Sequence, residues 1–363
     1  MRQCRTYTDV SSNFMKKKLS ILLLTICTIV YGQTQTELEK ILTFKNDLLQ
    51  NVEMNKADTL YTSTAMLTRE RHSELRCVTT FPKKLKQEIV EYYFNDTQTL
   101  ESSNIYDLSD NPIGITKKYN KKGQLEYVID YDKGIWTVIN FDNYPHFHIL
   151  QKMKQRVDRL LISTYGQKFF ENNIIWSPDR SCFYNDNGTG ANWTDHFEWT
   201  PKSFFLRYSI KLSEIEIYHD QIEINFDSLG QIIFPSDNYE DNKGFEKTIT
   251  KDGFLLSKQL TIKKAKQQGL HENNSTKAFT YLDWEYHKST KKTIYNGNFT
   301  YNVGINTKKI PYQASEGRNG IEYKFDVYVF NPWTGQFIKR KKMKSYNEWE
   351  KDSGLTTELM PDR

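Results

Sequence analysis

The chain is poor in the residues that mark several specialised protein classes. It has only 9 prolines and 17 glycines among 363 residues, which excludes a collagen-like or proline-rich linker protein. After residue 32, no segment approaches the run of about 18 consecutive apolar residues that a membrane-spanning helix needs. The sequence therefore predicts no transmembrane segment in the processed chain.

The sequence also lacks the short motifs that carry familiar chemistry. It contains no G-x-S-x-G nucleophile elbow, no H-E-x-x-H zinc motif, no phosphate-binding P-loop and no EF-hand loop. There is no C-x-x-C, which argues against thioredoxin chemistry and cysteine-type zinc sites. We therefore predict no catalytic residue, no metal site and no cofactor, and we leave the ligand-binding residues unassigned.

Aromatic residues are abundant instead. With 7 Trp, 23 Tyr and 21 Phe, they make up 14% of the chain, so it can bury enough apolar surface to fold. The net charge is +5, and residues 1–32 supply five Lys or Arg against one Asp. The rest of the chain is nearly neutral, so we expect no nucleic-acid partner.

The first 32 residues are typical of a secretory signal. Lys16–Lys18 form a cationic region, Leu19–Val30 form a short apolar region, and Tyr31-Gly32 precede a polar stretch. Met15 stands directly before the lysines and is the expected true start. Lipidation at Cys27 is the alternative to cleavage near Gly32. The sequence predicts an exported protein, periplasmic or extracellular at the cell surface.

Two cysteines follow the predicted signal, Cys77 and Cys182. Export to an oxidising compartment would allow a disulfide between them. The alternative is two unpaired, buried thiols.

The rest of the sequence predicts a β-rich α+β protein. An antiparallel hairpin meander is followed by two units, each a helix on an antiparallel sheet. Helices are expected over 36–52, over 149–165 and from Ser257 to Gly269, and 53–68 is expected to be irregular. The predicted segments are 1–32 (extension and signal), 33–68 (helix and linker), 69–145 (meander), 146–240 (first α+β unit), 241–345 (second α+β unit) and 346–363 (polar tail).

The middle of the chain resembles a MORN-variant repeat. Gly114–Leu125 followed by Ile129–Gly134 shows an aromatic strand, an Asn/Lys-Gly turn and a second aromatic strand. The resemblance covers about 50–60 residues and implies an extended hairpin sheet without chemistry of its own.

The C-terminal third resembles the PepSY family of secreted domains. The resemblance rests on Ala265–Leu270, Tyr281–Tyr286 and Val327–Gln336, with a departure at Asn331, where the family has Asp, and a long insertion around 287–320. It implies a cystatin-like fold and a binding or protease-inhibitory module.

An internal duplication would explain a second similarity. Phe226–Ile233 and Phe330–Ile338 both show an aromatic residue, Asp or Asn, a short turn, Gly-Gln and two apolar residues. Hairpin turn chemistry alone is the alternative explanation.

Several polar residues are weighed as candidate sites. His146 and His148 would face the same side of an extended segment, with Asp142 nearby, whereas the simpler interpretation is a surface loop. Asp195-His196 has the composition of an oriented general base. Glu216 and His219 would face opposite sides of a strand and are not a ligand pair.

The chain also offers candidate binding surfaces. Lys339–Lys344 holds five cations in six residues, either a patch for anionic surfaces or a solvated strand end. Four tryptophans would form either a carbohydrate- or peptide-binding platform or core packing, with Trp193 the one most expected to be exposed. They are Trp193, Trp199, Trp284 and Trp333.

We therefore predict an exported, non-catalytic binding or interaction protein whose partner is an envelope protein or a peptide. A secreted hydrolase whose active site has no linear motif is the alternative. The sequence does not indicate the oligomeric state.

Overall fold

The computed structural model is a β-rich α+β protein, which confirms the fold class expected from the sequence. It describes residues 35–50, 58–71, 74–213, 216–234, 242–247, 253–287, 292–313, 319–350, 353–356 and 360–361. The chain divides into two units, the first ending at Asn143 and the second beginning at Tyr144. Among the described helices, none has the length and apolar character needed to cross a bilayer.

The first unit is a helix followed by a meander of eight antiparallel strands. Each strand pairs with the next in the chain, so spatial order equals sequence order, as the recurring turn signals predicted. The predicted helix over 36–52 is confirmed. The elements are α1 Gln35–Gln50, β1 Asp58–Tyr61, β2 Ala65–Arg71, β3 Leu75–Pro82, β4 Gln87–Phe94, β5 Leu100–Asp107, β6 Pro112–Tyr119, β7 Leu125–Asp130 and β8 Ile135–Val138.

Helix α1 covers one face of the first strands. Phe44 packs into a cluster with Ala65, Leu67 and Val78, all of them buried. The guanidinium of Arg69 lies 4.3 Å from the centre of the Phe44 ring, and its Nη1 donates to the Phe44 carbonyl at 2.8 Å. This anchor joins the helix to the sheet by apolar burial and a charge-assisted hydrogen bond.

The expectation of an irregular segment over 53–68 was wrong for the described residues 58–68. Strand β1 and the first half of β2 lie there and pair antiparallel with one another. Ala65, Leu67 and Arg69 alternate along β2 and are buried, whereas the residues between them are more exposed. A buried arginine in the apolar register conceals this alternation in the sequence.

Four hairpins close with the same turn. Its first residue is Asp or Asn, whose side-chain oxygen accepts hydrogen bonds from the backbone N–H groups two and four positions later. The fourth residue has a positive φ between 60° and 78°. That conformation favours glycine. Three of the turns have a glycine at this position, and the fourth has Asp110. The turns are Asp107–Asn111, Asn120–Gln124, Asn185–Thr189 and Asp227–Gln231.

The second unit begins with two helices and a five-stranded antiparallel sheet. The predicted helix over 149–165 is confirmed, whereas the sequence did not predict the next helix. The last strand of this sheet runs over 12 residues and continues past Asp220, whose φ is 52°. The elements are α2 Phe147–Tyr165, α3 Gln167–Asn173, β9 Ile174–Trp176, β10 Cys182–Tyr184, β11 Gly190–Asn192, β12 Ser203–Ser213 and β13 Glu216–Asp227.

The third sheet has six antiparallel strands and a helix. Ser257 caps this helix as predicted, because its Oγ accepts from the backbone N–H of Leu260 at 3.4 Å. The helix buries Thr261 and Ala265. The elements are α4 Lys258–Gln267, β14 Phe279–Tyr286, β15 Gly297–Gln313, β16 Asn319–Phe330, β17 Phe337–Glu350, β18 Ser353–Thr356 and β19 Met360–Pro361.

The segment predicted as a polar tail, 346–363, contains strands among its described residues. Strand β17 continues to Glu350, and β18 and β19 both pair with it. A polar segment forms strands here because pairing satisfies its backbone N–H and C=O groups whatever its side chains are.

The two similar segments, Phe226–Ile233 and Phe330–Ile338, each contain a turn in which a glycine at positive φ follows an Asp or Asn. Asn331 accepts from the backbone N–H groups of Trp333 and Thr334, and Gly335 has a φ of 68°. Local turn chemistry accounts for this similarity, and a duplication stays a prediction.

Tyr165 of α2 stacks on Trp333 at 5.8 Å, so the regions predicted as two α+β units share aromatic packing.

Candidate functional site

The two cysteines carry free thiols in the structure. Cys77 lies on β3 and Cys182 on β10. Burial raises the thiol pKa of each, which disfavours the reactive thiolate. A disulfide between them stays a prediction, and the thiol count by mass spectrometry with and without reductant would test it.

His146 and His148 are not arranged to share a metal ion. Helix α2 begins at Phe147, so His146 and His148 are not on one face of an extended segment, as chelation would require. The His146 ring stacks on Phe197 at 5.2 Å, and Asp142 lies in a short 3-10 helix. Within the described ranges, no group of three or more His, Cys, Asp or Glu residues is placed to hold a metal ion.

The other candidate acids and bases bind structural partners. The Asp195 carboxylate accepts from the backbone N–H of Asn192 at 2.9 Å and so closes a turn, while His196 is exposed. Nδ1 of His219 lies 3.4 Å from Oγ of Ser209.

The tryptophans are mostly core residues. Trp193, expected to be exposed, is 0% exposed, because its loop returns as β11 and pairs with β10. Its ring meets Trp176 edge to face at 5.3 Å, and its Nε1 donates to the Cys182 carbonyl. Trp284 and Trp333 are buried as well, and only Trp199 is half-buried. These side chains form no open platform.

The cationic run Lys339–Lys344 is not at a strand end. It lies inside β17, which pairs with β16 on one side and with β18 and β19 on the other. Neighbouring strands supply acidic partners: Glu285 pairs with Lys339, Asp326 with Arg340 and Asp283 with Lys341. The run is therefore partly neutralised by its own sheet, which the linear sequence did not reveal.

A buried carboxyl lies among aromatic rings in the second unit. Glu246 is 4% exposed, and its Oε2 accepts from Nε1 of Trp333 at 2.6 Å and from the backbone N–H of Phe299 at 3.3 Å. Burial raises the pKa of this carboxyl to about 7, against the opposing effect of those hydrogen bonds.

A second carboxyl joins the two sheets of this unit. The Glu216 carboxylate accepts from the Tyr301 hydroxyl, and the Tyr218 hydroxyl lies 2.9 Å from its Oε1. The backbone N–H of Lys258 donates to its Oε2 at 3.2 Å. Burial raises the pKa of Tyr218 to about 12 and that of Tyr301 still further, so both phenols stay protonated and serve as donors.

The most distinctive surface is one face of the third sheet, which we call the amide–aromatic face. Opposed residues of antiparallel strands share a face. Tyr281, Asn302, Val329 and Lys339 stand opposite one another across four strands, as do Phe279, Gly304, Val327 and Lys341. Asn306, Phe325 and Met343 form the next row. A row of polar or small residues on β15 therefore lies between aromatic residues on β14 and β16.

Gly304 is the lowest point of this face because the Phe279 ring rests on it. A Cβ at Gly304 would lie 2.3 Å from Cζ of Phe279, far closer than two carbon atoms can approach. The Phe279 ring stacks with Tyr281 at 6.1 Å and meets Phe325 edge to face at 5.6 Å. Phe279 is 37% exposed, so solvent reaches the outer side of this aromatic layer.

Three buried polar atoms under this layer have no hydrogen-bond partner in the described structure. They are the Tyr281 hydroxyl, Oδ1 of Asn302 and Nδ2 of Asn306. Asn302 is 0% exposed, and its Nδ2 donates only to the backbone and hydroxyl oxygens of Thr300. Native proteins rarely leave buried polar atoms unpaired, so a group of three on one face requires an explanation.

Sequence reasoning missed this face although the signal was present. From Thr300 to Asn306 the residues alternate between apolar and polar or small side chains. Such an alternation is typical of a strand with one buried face, and it places the polar or small residues together on the other face. Its aromatic neighbours come from β14 and β16, and only the register brings them together.

Comparisons with known proteins identify no family. No family model matches the chain, and no curated protein matches it. A solved structure described as "Crystal structure of lipopolysaccharide binding protein" aligns over 89% of this chain and 79% of that chain, with 8% identity and a TM-score of 0.13. A similarity at this level carries no argument. The MORN-variant and PepSY resemblances therefore stay predictions.

Proposed function

We propose that this protein is an exported binding protein that engages its ligand or partner through the amide–aromatic face. The observation that carries the proposal is the group of unpartnered polar atoms beneath partly exposed aromatic rings on one sheet face. Binding sites characteristically combine aromatic surface with a few polar groups that fix orientation. An external ligand would supply the hydrogen-bond partners that the chain itself does not.

Binding without catalysis agrees with the environment of the buried carboxyls. Both oxygens of Glu216 accept hydrogen bonds from the chain itself, and Oε2 of Glu246 accepts two. The Glu216 carboxylate is therefore fully engaged within the fold. The alternative is a hydrolase without a linear motif, and Glu246 would be its acid or base because its pKa is near neutrality. Turnover of a hydrolase substrate that is lost in Glu246→Gln would favour this alternative.

Export is supported by the cationic and apolar pattern of residues 16–32, which lie outside the described residues. The expected result is that an epitope-tagged full-length chain is recovered outside the cytoplasm. Deleting Leu19–Val30 should retain it inside the cell. Recovery of the intact chain in the cytoplasm would contradict this part of the proposal.

The binding role can be tested with a photo-crosslinking amino acid at position 279 of the full-length chain. We expect covalent adducts between position 279 and the ligand or partner. An excess of the same protein without the crosslinking amino acid should reduce their yield. The matched control is position 229, because Leu229 is 72% exposed on a turn of the same unit. Equal labelling from both positions, or none from position 279, would contradict the proposal.

A further inference from the structure

We infer that the amide–aromatic face binds a neutral, hydroxyl-rich ligand, namely a short oligosaccharide. The inference rests on the proposed binding function and specifies its ligand class. It follows from the position of Asn302, Gly304 and Asn306 in one row, bordered by the rings of Phe279 and Phe325.

The hydrogen-bonding capacity of the face matches hydroxyl groups. Oδ1 of Asn302 can only accept, Nδ2 of Asn306 can only donate, and the Tyr281 hydroxyl can do both. A sugar hydroxyl also donates and accepts, so a single type of group satisfies all three. Leaving each such atom unpaired when buried costs about 1–3 kcal/mol, so a ligand that pairs them gains affinity.

Phe279 controls access to this row. Phe279 is the first residue of strand β14, and its ring rests on Gly304, between Asn302 and Asn306. Rotating the ring off Gly304 opens a gap in this row, because glycine has no side chain to fill it. The row from Asn302 to Asn306, with this gap at its centre, is roughly 13 Å long at the usual rise of a strand, which suits an oligosaccharide. Tyr281 and Phe325 pack against the buried Val327, Val329 and Met343 and border this gap with aromatic carbon, which suits the C–H faces of sugar rings.

The charges on this face favour a neutral ligand. Lys339 pairs with Glu285, and the closest atoms of Lys341 and Asp283 are 4.0 Å apart, so neighbouring charges offset each other. Lys309 lies at the far end, 5.5 Å over the Tyr323 ring. An anionic ligand would meet the carboxylates as well as the lysines. An added peptide strand would need unpaired backbone groups. Strands β15 and β16 are hydrogen-bonded on both sides, and the edge strand β14 offers such groups only on the side away from Asn302 and Asn306.

Calorimetric titration of the full-length protein tests this inference. The neutral probes are hexasaccharides of β-1,4-glucose, α-1,4-glucose and β-1,4-N-acetylglucosamine. The comparison probes are hexagalacturonate, which is anionic, and an uncharged hexapeptide. At least one neutral hexasaccharide should bind more tightly than both comparison probes. Asn302→Leu should weaken that binding at least about tenfold, the equivalent of one buried hydrogen bond.

Two further variants keep the result interpretable if Asn302→Leu folds poorly. Asn306→Ala removes the other amide at a half-buried position and should also weaken binding, whereas Asn274→Ala alters an exposed turn and should not. The inference is overturned if no neutral probe binds, if hexagalacturonate or the peptide binds as tightly, or if Asn306→Ala binds normally. In each case, competed crosslinking at position 279 shows whether the broader binding function still holds.

Discussion

The two faces of strand β15 differ in how completely their buried polar atoms are hydrogen-bonded. Tyr301, Val303 and Ile305 point to one face and are at most 5% exposed, packed in an apolar and hydrogen-bonded core. Asn302 and its neighbours point to the other face, where they are also shielded from water but leave polar atoms unpaired. Burial is therefore similar on both faces, while the completeness of hydrogen bonding is not.

This difference separates residues that stabilise the fold from residues that reduce its stability. Apolar burial on the Tyr301 face lowers the free energy of the folded state. Unpaired polar atoms on the opposite face raise it, as functional sites commonly do. The comparison predicts opposite responses to substitution on the two faces.

The largest effect is expected on the core face. Tyr301→Ala removes a fully buried ring and the hydroxyl that binds Glu216, and should lower the free energy of unfolding by about 3–5 kcal/mol. Chemical denaturation measures this loss. If Tyr301→Ala lowered the free energy of unfolding by less than a surface substitution does, the Tyr301 face would not be the core.

A pH-dependent effect is expected next, from the carboxyl packed against Phe299 and Trp333. Because burial raises the pKa of Glu246 to about 7, the folded state holds its proton more tightly than the unfolded chain. The contribution of Glu246 to stability should therefore be fully present below about pH 4.5 and be lost as pH rises through 7.

Glu246→Gln should remove this slope. Relative to the original protein, the variant should gain up to roughly 3 kcal/mol between pH 4 and pH 8. Denaturation midpoints across that range give the answer. Parallel pH curves for the two proteins would contradict the assigned pKa.

A smaller effect on stability is expected where the Phe279 ring rests on Gly304. Gly304→Ala places a methyl group where the ring tip rests, and should cost about 1 kcal/mol because an exposed side chain can move aside. The same substitution in a Phe279→Ala background should cost less. A double-mutant cycle measures the coupling, and additivity would mean that the ring does not rest on Gly304.

The smallest effect is expected for the charge pairs on the amide–aromatic face. Replacing Lys339 and Lys341 with Gln should change the free energy of unfolding by less than about 1 kcal/mol, because these pairs are exposed to solvent. Binding to liposomes containing anionic lipids should also stay unchanged. A large loss of liposome binding would instead support an anionic-surface role for this run.

Local patterns explain why much of the fold could be predicted. The apolar stripe of α2 and the Ser257 cap each determine a structure within a few residues, and their predictions were confirmed. The strands at 58–71 and 353–361 were missed for a physical reason. Their polar residues are held by backbone pairing with neighbouring strands, which leaves little trace in composition.

The candidate site depends on long-range register and could not be predicted in the same way. Asn302 faces Tyr281 and Val329, which lie 21 and 27 positions away in the chain. The Trp193 prediction failed for the same reason, because the pairing of β10 with β11 buries a loop with polar composition. Sequence patterns show which residues share a face, whereas register decides which faces meet.

The most direct test of the account is the stability of Asn302→Leu in the absence of ligand. Leucine has the same branched shape as asparagine and no acceptor to leave unpaired, so the free energy of unfolding of the variant should be higher by about 1 kcal/mol. A stability equal to or higher than that of the original protein, together with weaker oligosaccharide binding, would establish Asn302 as a functional residue. A loss comparable to that of Tyr301→Ala would contradict the account and identify the amide as part of the core.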